Sequence, residues 1–191
     1  MPSSPTSTKQ AAPPAAAPAA TPAAESAKPV DVDALLAEKV KAPTSAAGVI
    51  DIEVFQQIRD MDEDEDEGSG DEEPNAFSKS IVWGFFEQAE ATFKQIEDAL
   101  KTADLPALSS LGHFLKGSSA ALGIIKVQDA CEKIQHYGNR RDEESGEDLS
   151  EPEALKRISE QFLICIKAYR LGKAYLLGLY EEGDDKDDDE E

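Results

Sequence analysis

Residues 77–100 read FSKSIVWGFFEQAEATFKQIEDAL. Phe77, Ile81, Phe85, Ala89, Phe93, Ile96 and Leu100 recur at steps of four, with a single step of three. Apolar side chains at that spacing line one side of an α-helix, with polar residues between them. The stretch predicts an amphipathic helix of about seven turns, starting near Asn75. A helix with one long apolar stripe needs neighbouring helices to cover it.

The flanking segments supply those neighbours. Asp104 and Pro106 mark a helix start, because proline at the first turn forfeits no hydrogen bond. Leu105, Leu108, Leu111, Leu115 and Leu122 form its buried face, and Gly123 can end it in a left-handed conformation. Val127, Ala130, Cys131 and Ile134 give a further helix that stops near Gly138. Residues 139–149 read as a polar loop. Ser150 and Glu153 then form a capping box, with Pro152 in the first turn. Leu155, Ile158, Phe162, Cys165, Tyr169, Gly172, Leu176 and Leu179 follow at alternating steps of three and four. Such a seam suits antiparallel helix packing. Upstream, Asp51 can cap a short helix carrying Ile52, Phe55, Ile58 and Met61. No stretch alternates with period two. The expectation is an all-α, up-down-up-down four-helix bundle over residues 50–182 with a short extra N-terminal helix.

Composition limits the rest. Residues 1–48 are dominated by Ala, Pro, Ser and Thr and read as a disordered arm, within which a short helical turn fits around Val32–Val40. The net charge is −21, concentrated in two blocks. Residues 62–73 hold nine acidic side chains and no basic one, and residues 181–191 hold nine acids against one lysine. Such blocks self-repel, so an acidic loop inside the bundle and a disordered tail over 183–191 are expected. No basic patch supports nucleic-acid binding. No apolar run reaches membrane-spanning length, and the N-terminus lacks a secretory pattern. Cys131 and Cys165 fall on apolar stripes and read as buried, reduced thiols.

One segment conflicts with its own helix. Residues 111–123, LGHFLKGSSAALG, hold three glycines, two serines and a histidine. An interior glycine costs a helix about 1 kcal/mol relative to alanine. On a helical wheel His113 points away from Leu111, and Lys116, Gly117 and Ala120 follow it along one strip. The strip offers an imidazole, then an ammonium group, then almost no bulk. A neutral imidazole is a nucleophile that can accept a phosphoryl group, and a cation one turn on would offset the added charge. Small residues at 117 and 120 would let another protein approach the ring. The plainer reading is a surface histidine beside small residues that permit tight helix contact.

Residues 113–123, HFLKGSSAALG, strongly resemble the signature of histidine-containing phosphotransfer domains, most closely that of the fungal phosphorelay intermediate. The resemblance extends over about residues 50–180 and includes Met61-Asp62, Phe77-Ser78-Lys79, Phe93, Leu111-Gly112-His113 and Cys131-Glu132-Lys133-Ile134-Gln135. It implies that His113 is the phosphoacceptor, that Lys116 supports the phosphohistidine, that Gly117 keeps the approach open, and that Gln135 reaches toward the imidazole. It also implies a receiver-docking patch at Val54, Ile58, Ile81, Val82 and Gln88. Ala120 on the strip and Ser119 are further partner-binding candidates, while Ser118 and Ser119 also read as packing against a neighbouring helix, with the Ser119 hydroxyl free to bond backbone or the imidazole.

The implied activity is a monomeric carrier in an osmotic-stress relay, resident in cytoplasm and nucleus. It would take phosphate from the receiver domain of a hybrid histidine kinase and pass it to response-regulator receivers. It would use no cofactor of its own, the receiver bringing Mg2+. No glycine-rich nucleotide loop is present, so autonomous catalysis with ATP is not expected. Two other readings exist: a helical adaptor that binds receivers without carrying phosphate, and an acidic chaperone for basic proteins. His136, which lacks the lysine and glycine framing, reads as a surface residue.

Overall fold

The computed structural model describes residues 30–65 and 75–184. In chain order they form α1 (Val32–Ala37), α2 (Ile52–Glu65), α3 (Ala76–Lys101), α4 (Leu105–Ala121), α5 (Ile125–Gly138), β1 (Arg141–Asp142), β2 (Glu147–Asp148) and α6 (Glu151–Asp184). Helices α3 to α6 make the up-down-up-down bundle. The antiparallel course of α3 and α6 shows in their paired side chains. Phe93 stacks on Phe162 at 5.9 Å, Phe86 meets Tyr169 at 6.1 Å, and the Tyr180 hydroxyl donates to Ser78 Oγ at 3.0 Å. Between α5 and α6 the buried Cys131 and Cys165 thiols lie 3.6 Å apart as free cysteines. The neighbouring Cys131 thiol, together with burial, pushes the Cys165 thiol well above its ordinary range.

The helix ends follow from local chemistry. Asp104 accepts from the Ala107 N–H at 3.0 Å, and Glu153 accepts from the Ser150 N–H at 3.1 Å and the Ser150 hydroxyl at 2.6 Å. Helix α4 ends at Gly123, whose φ is +71°. There the Ile124 N–H bonds the Ser119 carbonyl and the Gly123 N–H bonds that of Ala120, satisfying the last turn. Helix α3 ends in the same way, but with Ala103 at φ +55° in the left-handed position.

Three expectations change. The disordered arm was drawn through residue 48, yet residues 30–48 include α1, which docks on α3 and α6. Val32 is fully buried, Arg170 donates to Glu38 at 2.7 Å, and Lys94 pairs with Asp33 at 3.0 Å. The short helical turn read around Val32–Val40 is α1, a segment whose stability comes from docking rather than from its own helix propensity. Of the acidic loop expected at 62–73, residues 62–65 belong to α2, and of the tail expected at 183–191, residues 183–184 belong to α6; the remainder of both, with residues 1–29 of the proposed arm, lies outside the described residues.

Second, the polar loop at 139–149 folds as a small hairpin, with Arg141 opposite Asp148 and Asp142 opposite Glu147. Asp142 pairs with Arg157, Glu143 with His136 at 3.4 Å, and Glu144 with Lys133 at 2.8 Å. His136 is therefore half-covered by the hairpin and lines a groove of about 510 Å³ with Asp129, Glu132, Lys133 and Tyr137.

Third, the buried face of α3 is rotated from the one read at its start. Ile81 is 42% exposed, whereas Val82 is fully buried. Steps of four overshoot a turn by about 40° each, so Phe77 and Ile81 cannot share a face with Phe93 and Ile96. Ser78, Val82, Phe85, Phe86, Ala89, Thr92, Phe93 and Ile96 make the buried side instead.

Candidate functional site

The strip on α4 meets α5 across a close crossing. Gly112 sets that closeness. A Cβ there would lie 2.9 Å from both the Cys131 carbonyl oxygen and the Gln135 backbone nitrogen. Gly138 makes the second approach, with a would-be Cβ 2.7 Å from the Ser109 nitrogen. The two glycines bring the backbones together and put α5 side chains within reach of the strip.

Two of those side chains touch it. Gln135 Oε1 lies 3.3 Å from His113 Nδ1. With Nδ1 donating to that oxygen, the imidazole lone pair resides on Nε2. Glu132 Oε1 accepts from Lys116 Nζ at 3.2 Å. Lys116 is half-buried and Glu132 more open. His113 is exposed, with the 53%-exposed Phe114 beside it. Gly117 is exposed, and a Cβ built on it meets no neighbouring atom within 4 Å. Among the described residues nothing therefore requires glycine at 117, in contrast to 112.

The remaining strip positions divide. Ala120 is half-buried. Ser119, a partner-binding candidate that also read as packing inward, is fully buried, and its hydroxyl donates to the Leu115 carbonyl at 2.7 Å. A small hydroxyl satisfied by its own helix can pack inward, so Ser119 cannot meet a partner. Val82, placed in the same patch, is likewise fully buried and is withdrawn from it. Val54 and Ile58 on α2 and Gln88 on α3 are half-buried, and Ile81 is exposed. Ile52 at 45% and Trp83 at 43% add exposed apolar surface from the same two helices.

Glu132 is the residue that sequence reasoning passed over. It precedes Gln135 by three positions, hence shares its helix face, and that spacing was the available signal. Gly112 was read only as part of the signature, because its contact with α5 is a tertiary fact. Among the described residues no cluster of histidine, cysteine and acidic side chains could hold a metal ion, and no helix is long and apolar enough to cross a membrane.

The arrangement offers an exposed nucleophilic nitrogen whose tautomer is set by an amide. An ammonium group, one turn along, is held beside it by a carboxylate. The surface around them is open.

The Hpt domain family matches residues 80–167. Multistep phosphorelay regulator 1 of Schizosaccharomyces pombe is 46% identical over 135 residues, 70% of this chain and 43% of that protein. Phosphorelay intermediate protein YPD1 of Candida albicans is 48% identical over 94 residues, 49% of this chain and 46% of that one. The chain thus spans a little less than half the length of these two relatives. The fold also matches a co-crystal structure of the Saccharomyces cerevisiae histidine phosphotransfer signaling protein Ypd1 with the receiver domain of its downstream response regulator Ssk1. There the TM-score is 0.57 at 27% identity, covering 74% of this chain and 98% of that chain.

Proposed function

The chain carries an Hpt domain, and from that premise we propose that it is a phosphorelay intermediate with His113 as the carrier. The observation that carries this reading is the contrast between two glycines on one helix: Gly112 is dictated by packing, whereas Gly117 faces open space four residues beyond His113.

In this reading, His113 Nε2 attacks the phosphorus of a receiver phosphoaspartate in line. The N–P bond forms as the acyl-phosphate O–P bond breaks, and the aspartate leaves as a carboxylate. Transfer of this kind depends on positioning and charge stabilisation. Gln135 keeps the proton on Nδ1 and orients the ring. Lys116 moves from Glu132 to the phosphoryl oxygens, where a charge-assisted hydrogen bond is stronger than a partly exposed ion pair. An aspartate of a second receiver then attacks the phosphohistidine. Each receiver brings its own Mg2+ and acidic pocket. This chain supplies the nucleophile and its immediate surroundings, without independent catalysis.

The donor in this scheme is the receiver domain of a hybrid histidine kinase, and the acceptors are response-regulator receivers. The Saccharomyces cerevisiae relative was crystallised with such a receiver. Val54, Ile58, Ile81, Gln88 and Ala120 form the docking surface, one surface serving receivers in turn, with the protein acting as a monomer. An osmotic-stress relay operating in cytoplasm and nucleus fits the same reading.

The test is transfer of radiolabel from an isolated receiver domain, phosphorylated with acetyl phosphate and freed of it, to the full chain. Wild type should gain acid-labile, base-stable label, and His113→Gln should gain none while still binding the receiver. Unlabelled wild type that binds the receiver would instead favour the phosphate-independent adaptor.

A further inference from the structure

Helix α2 carries Val54 and Ile58 of the docking surface, yet only one of its side chains, Phe55, is fully buried among those that form its apolar stripe. Besides the packing of Phe55 and Ile58 on the core, two polar contacts pin its ends. At its start, the Asp51 N–H donates to the Gly123 carbonyl at 2.7 Å. Near its end, Asp62 Oδ1 accepts from the Ser78 N–H at 2.8 Å. Ser78 lies in the first turn of α3, whose formal cap residue, Asn75, has φ 61° and makes no side-chain capping bond. The first turn of a 26-residue helix therefore takes its carboxylate from another helix.

Asp62 is 7% exposed, and its Oδ2 is buried without a partner among the described residues. Burying a carboxylate with one oxygen unmatched is costly, which marks the contact as one the fold is built around. The same Ser78 Oγ accepts from Tyr180 at 3.0 Å, so the pin also reaches α6.

We propose that Asp62 is the positioning residue of the docking surface: by capping α3 from α2 it fixes the angle at which Val54 and Ile58 stand beside Ile81 and Gln88. This rests on the receiver-docking reading above. Without the Asp62 pin, α2 pivots about the Asp51–Gly123 bond. Ile58 lies seven residues along from Asp51, about 10 Å at helical rise, so a pivot of roughly ten degrees moves it by about 2 Å. His113, Lys116, Gln135 and Glu132 stand on α4 and α5 and keep their geometry. The consequence is a weaker encounter with unaltered chemistry.

The experiment measures transfer from the phosphorylated receiver at a series of receiver concentrations, for wild type, Asp62→Ala and Asp62→Asn. Asp62→Ala should raise the half-saturating receiver concentration about fivefold, the size expected for a lost cap, and leave the rate at saturation within about twofold. Asp62→Asn, which keeps a neutral acceptor for the Ser78 N–H, should shift it less, and serves if the alanine variant fails to fold. Amide exchange should quicken at Ser78 and across 54–58, with 112–116 as protected as in wild type. A half-saturating concentration unchanged in both variants, or a saturating rate that falls in step with it, overturns the positioning role while the carrier reading stands. Wild type that accepts no phosphate from the receiver overturns both.

Discussion

Gly117→Ala and Gly112→Ala place the same methyl group on the same helix five residues apart, and the structure assigns them opposite signs. At 117 the added Cβ meets no atom within 4 Å. The substitution then gains only the helix propensity of alanine over glycine, about 1 kcal/mol, or roughly 2–4 °C in melting temperature for a chain of this size. At 112 the Cβ would sit 2.9 Å from a backbone oxygen and a backbone nitrogen of α5 and 3.1 Å from Ile134 Cγ2. Backbone atoms cannot rotate away, so the α4–α5 crossing must open. Overpacking of that kind costs about 1–3 kcal/mol, which cancels or exceeds the propensity gain. Urea unfolding followed by circular dichroism should show Gly117→Ala more stable than wild type and Gly112→Ala less stable or at best equal. Phosphoryl transfer from a receiver should fall in both, in the first despite the higher stability. A destabilised Gly117→Ala would mean that the protein itself needs glycine there. Unchanged transfer in that variant would mean that no partner closes on the position. Either result would refute the argument from open space.

Three further outcomes follow from the same geometry. Glu132→Gln releases Lys116 from its 3.2 Å partner, so the phosphohistidine should hydrolyse more slowly, by up to about fivefold given the usual worth of such a pair; equal lifetimes would remove Glu132 from the scheme. Ala103→Gly relieves a left-handed residue at φ +55° and should stabilise the fold by about 1 kcal/mol, read as a higher urea midpoint. The Ser150 hydroxyl and N–H hold the Glu153 carboxyl below its ordinary range. Its contribution is therefore complete above the unfolded carboxylate value near ~4.3 and is lost as pH falls through the lower folded value. Glu153→Gln should melt below wild type at neutral pH and converge with it in acid; a constant gap would contradict this.

Much of the bundle was legible because helix signals are local. The caps at Asp104 and Ser150 and the turn at Gly123 depend on residues within a few positions of one another, and the structure has them as read. The seam of α6 was legible for the same reason. What escaped depends on contacts distant in sequence. Around residues 32–40 only a short helical turn was legible; that this segment docks through Val32 and Glu38 was not. Asp62 reads as the first of an acidic run, yet it is the cap of α3, sixteen residues on. Val82 and Ile81 are neighbours whose burial is decided by the accumulated rotation of a long helix, which its opening residues do not define. At the site, the strip from His113 to Ala120 could be drawn on a wheel. Of its partners on the facing helix, Gln135 was reached through the family resemblance alone, and Glu132 was missed.

The most direct test of the central claim is relay through three proteins. A radiolabelled, phosphorylated donor receiver is mixed with an acceptor receiver in the absence of this chain, in its presence, and in the presence of His113→Gln. The account predicts that label reaches the acceptor only with the wild-type chain and passes transiently through an acid-labile, base-stable phosphate on His113. Label reaching the acceptor equally well with His113→Gln would contradict it.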